Sequence, residues 1–135
     1  MGNDIYENGK LCRYGKIAGL EKPVSRMIFG TAIGPMIEGK NTDELLDAAL
    51  AKGINTFDTA RGYGRAEESL GGWMKRRDNR KQVVVISKCG NCDSDGSVCV
   101  NRKVIETELV ESLQALQTDY IDIYLLHRDD PKTPV

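Results

Sequence analysis

The sequence has no apolar run approaching the ~20 residues that cross a bilayer, so a membrane-spanning helix is not expected. It also lacks a surplus of either charge. Nineteen basic side chains are set against 20 acidic ones, a formal net charge of −1. Nucleic-acid and anionic-membrane binding usually draw on a basic excess, so neither partner is expected. Cysteine is sparse. Cys12, Cys89, Cys92 and Cys99 are too few for a disulfide-stapled secreted scaffold. The opening Met1-Gly2-Asn3-Asp4-Ile5-Tyr6 is polar and lacks the charged-then-apolar order of a signal peptide. Tyr6 stands where a myristoylation motif needs Ser or Thr. A cytoplasmic location is the expectation. No Gly-x-Gly-x-x-Gly follows an apolar run, so the dinucleotide-binding fingerprint is missing too.

What is present reads as a folded, soluble chain, with 40% apolar and 29% charged residues. Its 135 residues suit one domain. Residues 1–25 read as a lead-in or small hairpin, with Gly15 and Gly19 as turn residues. Residues 26–31 form the first candidate core strand. Asn41 is placed to cap a helix, with Glu44 reaching back to it and Gly53 stopping it. Residues 54–58 form the second strand and 65–77 the second helix. Gly71 and Gly72 weaken that helix, and close approach to a neighbour would explain both. Residues 83–88 are apolar and β-branched without alternation, as in a strand buried on both faces of a parallel sheet. Asn101 caps a third helix, in which Ile105, Leu109, Leu113 and Leu116 recur at helical spacing. Residues 121–127 form the fourth strand. Strand and helix alternate throughout, which predicts a parallel α/β architecture.

The strand ends carry the chemistry. Asp58, Lys88 and His127 each follow an apolar run, and in a parallel barrel such ends share one face. Tyr63 lies five residues after Asp58, in a loop where Gly62 and Gly64 allow folding back over that face. Taken singly, each residue has an ordinary structural reading: a capping Asp, a solvated Lys, a packed Tyr, a core His. Their coincidence suggests a site. A Tyr hydroxyl ordinarily ionises near pH ~10, too high for easy proton donation, and a neighbouring ammonium favours its phenolate. Lys88 can supply that ammonium, Asp58 can hold Lys88, and His127 can orient a substrate oxygen. Such a set suits protonation of a carbonyl oxygen as a hydride reaches its carbon.

These residues resemble the aldo-keto reductases. The matching segments are Phe29-Gly30-Thr31-Ala32, Asn55-Thr56-Phe57-Asp58-Thr59-Ala60-Arg61-Gly62-Tyr63-Gly64, Glu67 through Leu70-Gly71, Val85-Ile86-Ser87-Lys88-Cys89-Gly90, and residues 118–128. The resemblance implies a TIM (β/α)8 barrel, of which residues 26–135 would cover about the first four strands and three helices. It implies binding of NADP(H), with NAD(H) as the alternative, and a small-molecule carbonyl substrate. Tyr63 would be the general acid, Lys88 its partner, Asp58 the partner of Lys88 beside the nicotinamide, and His127 the residue that orients the carbonyl. Gly30, Thr31 and Ala32 would lie beside the cofactor. The loop cations Arg61 and Arg128, with Tyr63 and His127, would line the substrate mouth and favour polar or anionic substrates.

Such barrels run to roughly 250 residues, about twice this length. The second half of the family's barrel, which completes the cofactor site, has no counterpart in these residues. A half barrel would leave open sheet edges prone to self-association. Two alternatives follow: an inactive half barrel, or a non-catalytic NADP(H)-binding regulatory protein. A third reading makes Cys89-Gly90-Asn91-Cys92 with Cys99 a metal or redox site. It lacks a fourth ligand at compatible spacing and a helix opening at the pair, so no metal is expected.

Overall fold

The computed structural model describes residues 12–91 and 100–132. Two short strands, β1 (Tyr14–Gly15) and β2 (Val24–Ser25), pair antiparallel and form the lead-in. The main sheet has four parallel strands in the order β3 (Ile28–Gly30), β4 (Thr56–Asp58), β5 (Val84–Cys89) and β6 (Ile123–Leu126). The connections run through α2 (Asp43–Ala51), α3 (Ala66–Arg77) and α4 (Arg102–Leu116). This matches the expected first four strands and three helices of a (β/α)8 barrel. A four-residue helix, α1 (Gly34–Ile37), precedes α2 and was not expected from the sequence. Pro35 sits in its first turn, where a missing N–H costs nothing.

Register sorts the side chains. Phe29, Phe57 and Val85 lie abreast, and successive strand residues alternate faces. This row faces the helices. The Phe57 ring packs at a tilt 5.2 Å from Trp73 and 5.7 Å from Phe29, in a cluster with Leu46, Leu70 and Leu116. Burying each such large side chain stabilises by roughly 1.5–3 kcal/mol. The Trp73 indole N–H donates to Asp47 at 2.8 Å, and Arg76 forks onto Asp43, so α2 is tied to α3. The opposite row, Gly30, Asp58 and Ile86, looks onto the inner face, with Lys88 and Leu125 two residues further along.

Some local expectations change. The N-cap of α2 is Thr42 by backbone geometry, without a side-chain cap bond. Asn41 instead accepts the Asp43 N–H at 2.8 Å. The Asn41–Glu44 capping box therefore does not form. Asn101 does cap α4, accepting the Val104 N–H at 3.0 Å. Gly71 meets the α4 backbone: a Cβ there would lie 2.5 Å from the Leu116 carbonyl carbon. At Gly72 the nearest atom belongs to the mobile end of Arg76 on the same helix, so only Gly71 serves close packing.

The lead-in closes the N-terminal end of the sheet. Ser25 exchanges hydrogen bonds with Asn55 and Thr56. Lys22 and Arg80 both pair with the buried Asp122, whose Oδ2 also accepts the Val85 N–H. The other end of the sheet stays open. Among the described residues, no helix is long and apolar enough to cross a membrane.

Candidate active site

At the open, C-terminal end of the sheet four side chains converge. Asp58 is the last residue of β4, Lys88 the penultimate residue of β5, and His127 follows β6 directly. The fifth strand thus runs one residue past the expected end at Lys88. The Lys88 ammonium donates to Asp58 Oδ1 at 2.7 Å and to the Thr59 carbonyl at 3.0 Å. It lies 3.3 Å from the Tyr63 hydroxyl and 4.8 Å from the centre of the ring. Tyr63 and His127 meet edge to face, with ring centres 5.5 Å apart. The structure therefore brings together Asp58, Tyr63, Lys88 and His127.

The loop from Thr59 to Gly64 presents Tyr63. The Thr59 and Arg61 N–H groups donate to the Ile86 and Lys88 carbonyls, which fixes the loop to β5. Tyr63 then closes a turn onto the Ala60 carbonyl. Gly64 adopts a left-handed backbone (φ 56°), and a Cβ there would strike the Ile37 carbonyl. In the loop after β5, Asn91 packs so tightly on Gly62 that a Cβ would lie 2.5 Å from its amide nitrogen. The same Asn91 accepts from Arg128 Nε at 3.2 Å. Asn91 thus ties three loops together, a role that no sequence pattern announces.

His127 is fixed by its backbone N–H, which donates to the Cys89 carbonyl at 2.7 Å. Burial, then the charges of Lys88 and Arg128, push its imidazole below the usual range. It is thus neutral near pH ~7, and its Nδ1 is buried without a partner among the described residues. A neutral imidazole can share a hydrogen bond with a ligand oxygen without competing for charge with Lys88.

Gly30 pairs with Asp58 in the ladder, and the space beside its α-carbon is open. Thr31 is fully buried, its N–H donates to the Asp58 carbonyl, and its hydroxyl has no partner among the described residues. Ala32 is exposed just beyond. A flat group could lie against this bare strand end.

Arg61 differs from expectation. Its guanidinium donates to Glu67 at 2.6 Å and lies 3.4 Å from Glu111, on the helix side of the sheet. It does not line the opening. The sequence could not show this, because a loop cation carries no mark of which side it takes. Cys89 sits on the buried outer face, its thiol directed at the Leu125 carbonyl, and burial pushes its ionisation up. Cys92 and Cys99 lie outside the described residues.

The sequence profile of the Aldo/keto reductase family matches residues 26–135. The chain belongs to the aldo/keto reductase family. Among curated aldo-keto reductases, YhdN of Bacillus subtilis is 37% identical over 131 residues, covering 90% of this chain and 40% of that protein. A rice protein named "Probable voltage-gated potassium channel subunit beta" is 36% identical over 120 residues, covering 83% of this chain and 36% of its own length. The solved aldo-keto reductase AKR11C1 from Bacillus halodurans, in its holo form, superposes with a TM-score of 0.74 at 28% identity. It is covered over 42% of its length, by 91% of this chain. The present chain thus spans under half the length of each of these relatives, and its fold corresponds to part of the Bacillus halodurans structure.

Proposed function

We propose that this chain carries the proton-transfer machinery of an NAD(P)H-dependent oxidoreductase that reduces aldehydes or ketones to alcohols. One observation carries the reading. A single ammonium, on Lys88, bonds Asp58 at 2.7 Å and stands 3.3 Å from the Tyr63 hydroxyl, beside the His127 ring. Family membership supports it, since the Bacillus subtilis relative is named a reductase.

The residues present fit a nicotinamide cofactor, NADP(H) or NAD(H), in part. The open space at Gly30, the unpartnered Thr31 hydroxyl, Ala32 and Asp58 would hold its ring end. When bound, the cofactor supplies the hydride. Tyr63 delivers the proton to the carbonyl oxygen. Lys88 stabilises the negative charge left on the Tyr63 oxygen, and Asp58 holds Lys88 aimed at it. His127, neutral and unpartnered at Nδ1, orients the carbonyl. Arg128, held by Asn91 at the opening, is the loop cation placed to meet a polar substrate.

A second reading, a nicotinamide-binding regulatory protein, draws on the name of the rice relative. Replacing Tyr63 by Phe separates the two. The expected result is loss of carbonyl reduction by about a hundredfold or more, with cofactor affinity nearly unchanged. Equal turnover by Tyr63→Phe removes Tyr63 from this role, and absence of turnover in the parent with retained cofactor binding favours the regulatory reading.

We also propose that the 135 residues on their own self-associate through the free edges of β3 and β6.

A further inference from the structure

Glu67 occupies the second position of α3 and is fully buried, yet no step above uses it. Its two oxygens serve different elements. Oε1 accepts from the Ser87 hydroxyl at 2.7 Å, and Oε2 accepts from the Arg61 guanidinium at 2.6 Å. Ser87 is the residue before Lys88, on the opposite face of β5. Arg61 lies two residues before Tyr63. One carboxylate therefore grips both the strand that carries the ammonium and the loop that carries the phenol.

A buried carboxylate is costly unless paired and hydrogen-bonded, and an apolar side chain would fill the space more cheaply. The α3 N-terminus does favour an acid, but the exposed Glu68 one residue on already answers that dipole. What Glu67 adds is a fixed link between two segments that, among the described residues, the backbone joins by the Thr59–Ile86 and Arg61–Lys88 hydrogen bonds.

We propose that Glu67 is a positioning residue: through Arg61 and Ser87 it locks the loop after β4 onto β5, and so sets the Tyr63 hydroxyl against Lys88. Its catalytic consequence rests on the tetrad reading above, while the locking itself rests on the contacts alone. It also gives Arg61 a partner within the fold in place of a substrate.

The test uses the full 135-residue chain, as Glu67→Gln and as the double variant Arg61→Met with Glu67→Gln, which leaves no buried charge unpaired. Amide hydrogen exchange is read residue by residue and decides the locking, and carbonyl-reduction kinetics at saturating cofactor decide its catalytic consequence. Exchange is expected to accelerate at the Arg61 and Tyr63 amides while the β4–β5 ladder keeps its protection. kcat is expected to fall about tenfold to a hundredfold with KM nearly constant, since the loss is one of alignment rather than binding. The double variant is expected to match the single one. Unchanged exchange at Arg61 and Tyr63 in both variants overturns the proposal. So does a loss of protection spread evenly through β4 and β5, which marks a purely structural prop. If the parent turns over and Tyr63→Phe turns over equally, the tetrad reading falls; in that case, and where the parent shows no turnover, the exchange data still decide whether Glu67 locks the loop.

Discussion

Burial and the neighbouring charges of Lys88 and Arg128 depress the proton affinity of His127, and this couples the site to folding. The unfolded chain binds a proton on this residue at the ordinary value near ~6.5, the folded chain only at lower pH. Stability from this group is therefore present above that unfolded value and is lost as pH falls from it through the lowered folded value. Wild type is expected to lose more thermal midpoint than His127→Gln between about pH 7.5 and about pH 5.5. Equal losses in the two proteins would show that His127 is not held neutral. At this scale the sequence showed the tetrad well, because Asp58, Lys88 and His127 announce themselves as ionisable residues ending apolar runs. Glu67 was hidden: an acid in the first turn of a helix reads as a solvated dipole partner until its burial is seen. Arg61 was misplaced for the complementary reason, since its acceptors, Glu67 and Glu111, come from two different helices.

Between α3 and α4, the two adjacent glycines of the sequence part company. Gly71→Ala drives a methyl group into the Leu116 backbone, where nothing can swing aside. It is expected to destabilise by about 1–3 kcal/mol, despite the better helix propensity of Ala. Gly72→Ala meets only the end of Arg76 and is expected to raise stability by somewhat under about 1 kcal/mol. Urea unfolding of the two variants checks both signs, and a shared sign would mean that the helix contact does not govern this position. The parallel strands and three long helices were legible because apolar runs and helical periods alternate cleanly. The limits were less so. The helix α1 has four residues, too few for a period to show. Leu45 matches the period of α2 yet is exposed, because Leu46 and Ala49 take the contact with the core.

In the molecule as a whole, the two ends of the sheet do different work. The N-terminal end is closed by the lead-in and by Asp122 with its two cations, and the C-terminal end is left to the tetrad. On the inner face, Ile28 and Leu125 stay about half exposed, and β3 and β6 are edge strands of the sheet. For these 135 residues alone, sedimentation is expected to show association that grows with concentration, and fluorescence titration to show weak NADP(H) binding. A stable monomer that binds the cofactor tightly would refute both expectations. The order of strands in space is also their order along the chain. Each new strand therefore adds to the outer side of the one before it, and none has to wait for a later segment to be inserted between neighbours. In a polypeptide leaving a ribosome, Asp58, Tyr63 and Lys88 can meet as soon as the third parallel strand is in place. His127 arrives with the fourth, so the strand order lets Tyr63 and Lys88 come together before His127 joins them.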